Sequence, residues 1–355
     1  MENLGKKIAP SKVLIIGPSY FNFNRSIERA FEALDWTFHT ESYDTPIHPF
    51  NGLMKWKRKF SLNRKKLKKR QNAKFNVHAV NVFRKLQPDL VFILNGEILS
   101  ADTLDFFRET SKVALWMYDT LSRCPASKNH IDHVDAFFSY EKADVDAYLS
   151  QGKTAHFLPQ ACDENDYYPT NTPRDIDILF VGFLYRYNKR IKLLKAVTNT
   201  FPDKKILIIG IYKPWYKNPF KWLFREKRHI YTNKNIPVSE VNNYYNRARI
   251  VLNIHHETQQ QGANPKVFEI CGAGAYQICD TNPFIKTLFT NGEVGLYRNE
   301  TELLTCIEDA LQNDKSENAR HARQIVLTEH TFTHRIKELL AQMKFSPKNS
   351  LMLVE

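Results

Sequence analysis

Short, almost uninterrupted apolar runs with helical patterns between them constrain the fold of this chain more than any other feature. In the first half, these runs occupy residues 12–17, 89–95, 112–118 and 136–139. Strands buried on both faces of a parallel sheet have such runs, whereas half-exposed strands alternate polar and apolar residues. Because helical patterns such as residues 24–34 separate the runs, the first half is predicted to form a Rossmann-like α/β domain.

The second half of the chain repeats this pattern. Its apolar runs lie at residues 175–182, 205–210, 250–254 and 275–279. A chain of 355 residues is long enough for two separate cores. We therefore expect two tandem domains joined by a polar, proline-containing linker, with an amphipathic C-terminal helix that packs back on the first domain. The expected boundaries are 1–160 for the first domain, 161–174 for the linker, 175–330 for the second domain and 331–355 for the C-terminal helix and tail.

The net charge of +13 is confined to one segment of the first domain. Thirteen of the 51 Lys and Arg residues lie in residues 45–88, which contain no Asp or Glu, and the other 38 equal the 38 acidic residues in number. A local basic patch of this kind predicts an anionic partner such as lipid headgroups, a polyanionic acceptor or nucleic acid. An anionic membrane surface is the expected partner, because the segment lacks the signature of a nucleic-acid-binding module. The residues expected to contact it are Lys65, Lys66, Lys68 and Lys69.

Composition also bears on where the protein works. No run approaches the ~18 apolar residues of a membrane-spanning helix, and the first residues lack the apolar core of a signal peptide. The five cysteines are odd in number, scattered and without a C-x-x-C pair, which fits reduced thiols. These features predict a cytoplasmic protein, held peripherally at the inner face of the membrane by the basic segment.

Residues 262–280 carry the strongest functional signal. They are predicted to form a loop, a short helix with Asn264 as N-cap, a turn at Gly272 and Gly274, and a strand. The backbone N–H groups and the dipole at such a helix start suit a phosphate. Glu269, about one turn inside the helix, is placed to accept hydrogen bonds from a ribose diol. The alternative is a surface helix with a solvated Glu.

This segment resembles the donor-binding element of GT-B glycosyltransferases, most closely that of the CgeB-like (spore maturation protein-like) branch. There, a strand ending in L-N-I-H leads to G-x-N-x-[RK]-x-F-E-x-x-x-x-G; here the strand ends at His255, the basic position is Lys266 and the Glu is Glu269. The resemblance implies an α/β fold of two tandem Rossmann-like domains with a cleft between them. It further implies a hexosyltransferase that moves a sugar from a nucleotide-sugar donor, by family frequency UDP-linked, to a glycolipid or polysaccharide acceptor, with no cofactor and no catalytic metal.

One position departs from the wider pattern. Retaining GT-B enzymes carry two Glu residues separated by seven positions; the second matches Glu269, but the first falls on Gln261. This change removes a charge where the family contacts the donor sugar, and it leaves the sugar and the stereochemical outcome open. Two alternatives therefore stand beside the enzyme: a degenerate glycosyltransferase that binds nucleotide-sugar without turnover, and a non-catalytic protein that binds a polyanion or nucleic acid.

By the same resemblance, the second domain is expected to hold the donor. A cation in the loop after Gly182 would neutralise the diphosphate as it leaves, and a hydrogen bond from His255 would contact a donor phosphate. His255 and His256 are not expected to share a metal, because adjacent residues at a strand end point in opposite directions. The predicted donor-binding residues are Gly182, His255, Gln261, Asn264, Lys266 and Glu269. The candidate cations are Arg186, Lys189 and Arg190, which spacing alone does not separate.

The first domain is expected to hold the acceptor. Asp119 follows the strand over 112–118, and ligands of open α/β sheets gather at the carboxyl ends of strands. It is therefore predicted to orient or deprotonate an acceptor hydroxyl, with an Asp that caps the next helix as the alternative. Tyr118 stands where many relatives have His. Ser19 and Tyr20, in the turn after the first strand, are expected to contact the acceptor, unless that turn is a plain βα connection.

Overall fold

The computed structural model describes residues 11–19, 22–44, 64–184, 188–210, 229–232 and 236–345. The chain divides into two compact units, one formed by Met1–Leu158 with Thr333–Glu355 and the other by Pro159–Phe332. Each unit is built on a six-stranded sheet whose strands all run parallel. The prediction of two tandem parallel-sheet α/β domains is confirmed.

In the first domain, the strand order is β2-β1-β3-β4-β5-β6. The strands are β1 (Lys12–Gly17), β2 (Thr37–Ser42), β3 (Leu90–Leu94), β4 (Lys112–Met117), β5 (Ala136–Ser139) and β6 (Ala155–Phe157). The described helices after them are α1 (Phe23–Glu32), α2 (Arg64–Leu86), α3 (Ala101–Arg108), a 3₁₀ helix (Pro125–His133) and α4 (Lys142–Leu149). Helix α2 packs on this sheet through Phe75, Ala79 and Phe83, whose spacing of four residues places them on one face.

In the second domain, the strand order is β12-β11-β10-β7-β8-β9. The strands are β7 (Ile176–Val181), β8 (Ile206–Ile209), β9 (His229–Thr232), β10 (Ala248–Asn253), β11 (Gln277–Asp280) and β12 (Gly295–Tyr297). Its described helices are α5 (Asn188–Thr200), α6 (Val238–Arg247), α7 (Pro265–Gly272), α8 (Pro283–Leu288), α9 (Glu300–Gln312) and α10 (Ser316–Glu329). Successive strands move outward in one direction from β7 to β9 and in the other from β10 to β12, so β7 and β10 flank the point where the order reverses.

The C-terminal helix α11 (Phe332–Gln342) belongs to the first domain from Thr333 onward, and the residues after it contact other parts of that domain. The Lys112 ammonium donates to the Met343 carbonyl at 2.5 Å, and the Phe345 ring meets Trp36 edge-on with 5.2 Å between ring centroids. The segment after Leu158 pairs with the chain just before α11, since the Cys162 amide donates to the His330 carbonyl at 2.9 Å. Within the described ranges, no helix combines the length and the apolarity that a bilayer span requires.

Candidate functional site

The carboxyl edge of the second sheet, at the reversal between β7 and β10, collects most of the predicted donor-binding residues. Gly182 follows β7, His255 lies two residues beyond β10, and α7 starts after the loop from β10. Ligands of open α/β sheets bind outside the carboxyl ends of the strands at such a reversal. Local sequence therefore puts the predicted residues where the topology favours a ligand.

A buried carboxylate joins the end of β11 to the loop after β10 and to the start of α5. Asp280, the last residue of β11, accepts hydrogen bonds through Oδ1 from the His255 amide at 2.9 Å and from the His255 Nδ1 at 2.6 Å. Its Oδ2 accepts from the Lys189 ammonium, in the first turn of α5, at 2.6 Å. Burial works to raise the pKa of Asp280, but His255 and Lys189 outweigh it and hold the pKa below its usual range. Asp280 is thus an anion that faces a cation on one side and an imidazole on the other.

His255 has a different role from the predicted phosphate contact. Its Nδ1 donates to Asp280, so its Nε2 carries the lone pair and accepts the backbone N–H of Asn264 at 3.2 Å. The residue is only 3 % exposed, and both ring nitrogens have partners inside the domain. His255 therefore fixes the start of α7 instead of reaching a ligand directly.

The ligand atoms of His255, Cys279 and Asp280 lie within 4.8 Å of one another, a spacing that suits a metal ion. Their contacts favour a hydrogen-bonded cluster instead. Both carboxylate oxygens of Asp280 accept hydrogen bonds, and the Lys189 cation occupies one side. Burial raises the pKa of the Cys279 thiol well above its usual range, which disfavours the thiolate that a metal requires. The neighbouring His256 points elsewhere and pairs with Thr258 at 2.7 Å.

Asn264 is the N-cap residue of α7, but its side chain makes no capping hydrogen bond to the helix. It forms a reciprocal amide pair with Asn253, with hydrogen bonds of 2.9 and 3.1 Å, and Asn253 also donates to Gln277 at 2.9 Å. The expected side-chain cap is therefore replaced by a link to the neighbouring strands β10 and β11. The start of α7 is therefore anchored to the end of β10 through the Asn264 side chain, which does not cap the helix.

Glu269 is half-buried on α7, not a solvated surface acid. Burial raises its pKa to about 7, while Lys266, one turn earlier, and a hydrogen bond from Tyr167 act in the opposite direction. Burial also lowers the pKa of Lys266, which Glu269 counteracts. Asp166, beside Tyr167, adds a smaller upward shift to the pKa of Glu269. The side chain is therefore a hydrogen-bond acceptor whose negative charge is only partly compensated by its neighbours in the domain.

The raised pKa of Glu269 predicts a pH-dependent difference between the wild type and Glu269→Gln. The folded protein holds the proton up to about pH 7, whereas the unfolded chain releases it near pH 4.5. The stabilising contribution of the protonated form is present below pH 4.5 and is lost as the pH rises through about 7. At pH 8, Glu269→Gln should unfold with a free energy about 1–3 kcal/mol higher than the wild type.

Denaturant titrations of both proteins at pH 5, 6, 7 and 8 measure this difference. Every other titrating group is common to the two proteins, so its contribution cancels. A difference that is the same at pH 5 and pH 8 contradicts the assignment.

Lys189 and Arg190 are separated by the structure. Arg190 is 9 % exposed, and its guanidinium donates to the carbonyls of Ile254 and Phe183, each at 2.8 Å. It also lies over the Phe180 ring. Arg190 therefore ties the loops after β7 and β10 together, in place of the predicted role at the leaving diphosphate. Lys189 keeps 38 % of its side chain exposed, and Arg186 lies outside the described residues.

The glycines and Gln261 complete this edge. The Gly182 amide donates to Ile209, and a Cβ at Gly210 would come within 1.8 Å of the Gly182 carbonyl, so the ends of β7 and β8 pack backbone to backbone. Gly274 takes the left-handed φ of +72° expected at the end of α7. Gly272 does not have a left-handed φ. A side chain is excluded at this position because a Cβ there would lie 2.3 Å from the Cys162 sulfur. Gln261 is half-buried in the loop before α7.

The predicted acceptor residues lie at the carboxyl edge of the first sheet. The Asp119 Oδ1 accepts from the Thr120 amide and from Arg123, each at 2.9 Å. Burial raises the pKa of Asp119, and Arg123 opposes this shift. The Asp119 side chain is 22 % exposed, so it remains within reach of a ligand.

Two neighbours accompany Asp119 at this edge. The Tyr118 amide donates to the Asn95 side chain at 3.1 Å, and the Tyr118 ring lies 4.9 Å from that of Phe23. The exposed Ser19 donates to Asp44 through its amide at 2.7 Å and its hydroxyl at 2.9 Å. Tyr20 lies outside the described residues.

Comparison with known proteins identifies the fold. Residues 189–341 match a family model described as glycosyl transferase-like. No curated protein matches the chain in sequence. Sucrose-phosphate synthase from Thermosynechococcus elongatus superposes with a TM-score of 0.68 at 15% identity, over 94% of this chain and 99% of that one.

Two further solved structures are similar. Anabaena HepE in complex with UDP and glucose has a TM-score of 0.63 at 12% identity, over 94% of this chain and 99% of that one. A UDP-forming trehalose-phosphate synthase from Burkholderia xenovorans, in complex with glucose-6-phosphate, has a TM-score of 0.65 at 10% identity, over 94% and 100%. The two domains of this chain therefore have the GT-B glycosyltransferase fold. Membership of the CgeB-like branch stays a prediction.

Proposed function

We propose that the protein is a glycosyltransferase that moves a hexosyl group from a nucleotide-sugar, UDP-linked by preference, to a glycolipid or polysaccharide acceptor. One observation carries the proposal: the reversal between β7 and β10 brings together a partly exposed cation, Lys189, and the start of the helix that bears Glu269. A diphosphate and a ribose diol need those two kinds of group. The glycosyl transferase-like match and the UDP-bound relative support the same class.

In this proposal, the second domain binds the donor. Lys189 and the N-terminal turn of α7 neutralise the diphosphate, whose charge grows as the sugar–phosphate bond breaks. Glu269 accepts hydrogen bonds from the ribose. Gly182 lets the backbone approach the donor, Lys266 adds positive charge, and Gln261 contacts the sugar. Arg186 is proposed as a second cation in the loop after β7.

The first domain binds the acceptor in the same proposal. Asp119 accepts the proton of the attacking hydroxyl, for which a pKa raised by burial is favourable. Arg123 holds its carboxylate in place. Ser19, Tyr20 and Tyr118 line the acceptor site. Neither a catalytic metal nor a cofactor takes part in the proposed reaction.

The ribose contact predicts the behaviour of Glu269→Ala. Removing a charge-assisted hydrogen bond costs roughly 1.5–3 kcal/mol, so UDP affinity should fall about ten- to a hundredfold while the fold stays intact. The wild type should also bind UDP more tightly than 2′-deoxy-UDP, and the variant should lose that preference. Calorimetric titration of both nucleotides into both proteins measures the four affinities. Equal preference for UDP in the wild type and the variant rules out the contact.

A panel of nucleotide-sugars separates the proposed enzyme from the two alternatives. A thermal shift with slow donor hydrolysis supports the glycosyltransferase. A shift without turnover, even with acceptors present, supports the degenerate protein that Gln261 suggests. No shift, together with salt-sensitive binding of nucleic acid, supports the non-catalytic protein.

We also propose that the protein works in the cytoplasm at an anionic membrane surface, where lipid-linked acceptors lie. Lys66, Lys68 and Lys69 are exposed on the N-terminal half of α2, ahead of the first buried residue, Phe75. Lys65 lies in the same helix, and its side chain is outside the described residues. Nucleic acid is not a proposed partner.

A further inference from the structure

We propose that Asp280 is a positioning residue for the diphosphate of the donor, an inference that rests on the proposed function. One carboxylate holds the ammonium of Lys189 on one side and, through His255, the backbone amide of Asn264, the N-cap residue of α7, on the other. Lys189 and the start of α7 are the two groups proposed to contact the diphosphate. The single buried side chain of Asp280 thereby fixes the position of one relative to the other.

The sheet order makes this arrangement possible. β11 pairs with β10, and β10 pairs with β7, so a side chain at the end of β11 must reach across β10 to touch the start of α5, the helix that follows β7. Asp280 does this through its two oxygens, with Oδ1 on His255 and Oδ2 on Lys189. It is 8 % exposed, so water competes little with these contacts.

Each contact defines an orientation. The double acceptance at Oδ1, from the amide and from Nδ1 of His255, fixes the ring and leaves Nε2 as an acceptor for Asn264. The Asn264–Asn253 amide pair holds the same helix start from the strand side. Lys189 has four rotatable side-chain bonds, and the 2.6 Å contact selects one direction for its ammonium. Lys189 touches the ligand in this scheme, whereas Asp280 acts through it.

Asp280→Asn tests the inference, because an amide at this position presents at most one acceptor and cannot hold both His255 and Lys189. The ligands are UDP, UMP and uridine, which share the base and ribose and differ in phosphate. We expect Asp280→Asn to weaken UDP binding at least tenfold and uridine binding less than twofold. A purely structural defect would weaken all three ligands alike, so the ratio of UDP to uridine affinity is the decisive quantity.

Asp175→Asn is the matched control. Asp175 also bridges two cations, Arg247 at 2.7 Å and Lys205 at 2.6 Å, but it precedes β7 at the amino edge of the same sheet. The Asp175→Asn variant should leave the ratio of UDP affinity to uridine affinity unchanged. Lys189→Ala, made in the Asp280→Asn background, should weaken UDP binding less than it does alone, because Lys189 is already misplaced.

The outcomes separate this inference from the proposed function. If the wild type binds UDP and Asp280→Asn leaves the UDP-to-uridine ratio within twofold of the wild-type value, Asp280 is not a positioning residue and the proposed function still stands. Additive effects of Lys189→Ala and Asp280→Asn on UDP binding would also overturn the inference. If the wild type binds none of UDP, GDP, ADP and dTDP, the proposed function fails, and the inference fails with it.

Discussion

Arg190→Ala should lower the free energy of unfolding by about 2–4 kcal/mol, because it leaves one buried and one part-buried carbonyl without the guanidinium donor. Those carbonyls belong to Ile254 and Phe183, in the loops after β10 and β7. The change also removes an aliphatic stem that is packed in the domain. Denaturant unfolding, followed by circular dichroism, measures the loss. Because Arg190 links the loops after β7 and β10, the candidate donor site between these loops should also become less ordered.

The neighbouring Lys189 should affect turnover more than stability. Lys189→Ala removes a partly exposed cation and leaves the Asp280 Oδ2 without this partner, so some stability should be lost, while turnover should fall about a hundredfold with a smaller loss of donor affinity. Arg249→Ala is a control for Arg190→Ala. Arg249 also donates to a backbone carbonyl, that of Leu311, but it is 41% exposed and should contribute less than about 1 kcal/mol.

Two results would contradict this division of roles. If the Arg190→Ala protein were fully stable but had low turnover, Arg190 would act at the leaving diphosphate and not as a structural link between the loops. A Lys189→Ala protein with unchanged turnover would exclude Lys189 from the diphosphate site.

The predicted strands show which part of the fold the sequence encodes locally. The apolar runs predicted β1, β3, β4 and β5 of the first sheet and β7, β8, β10 and β11 of the second, which are the interior strands. The strands that the runs did not predict, β2, β6, β9 and β12, are the described edges of the two sheets. Interior strands are buried on both faces and need continuous apolar residues. An edge strand such as β2, with sequence TFHTES, has no such requirement and resembles a loop.

The sequence predicted where in the fold the candidate site lies, but it did not predict which residues contact one another there. The motif around α7 and the strand-end rule put Asn264, Glu269 and Lys189 at one edge of the second sheet. The partners of these residues depend on which strands lie side by side, which local sequence does not specify. Asp280, which joins β11 to the loop after β10 and to α5, belongs to none of the motifs in the sequence. The rule that ligand sites gather at strand ends could have suggested it, because it is the last residue of β11.

The same limit applies to the roles predicted for His255 and Arg190. A strand-end His and a helix-start Arg suit a phosphate in sequence terms, but burial decides whether they reach one. His255 and Arg190 are both less than a tenth exposed, and their nitrogens have acceptors or donors within the domain. They hold the loops that present the exposed groups.

Replacing Lys65, Lys66, Lys68 and Lys69 by Glu should abolish binding to anionic vesicles. Helix α2 contains no acidic residue, and the cations Lys66, Lys68, Lys69, Arg70 and Lys74 are exposed ahead of its packed half. Each cation near an anionic leaflet contributes about 1 kcal/mol, and salt screens the attraction. Reversing four charges turns attraction into repulsion, so vesicle affinity should fall more than a hundredfold. Hydrolysis of the free donor should survive, because the changes lie in the first domain and far along the chain from the donor residues.

Co-sedimentation with vesicles of anionic or purely zwitterionic lipid, at low and high salt, measures this binding. The wild type should pellet only with anionic vesicles at low salt. A control with the same change in net charge reverses four exposed lysines elsewhere, namely Lys128, Lys286, Lys337 and Lys344. It should keep most of the vesicle binding, because the attraction comes from a local patch and not from net charge alone. If the wild type stays in the supernatant at low salt, the membrane is not the partner, and a soluble polyanionic acceptor becomes the better explanation of the basic helix. If both sets of changes abolish binding equally, the attraction is non-specific and α2 has no special role in it.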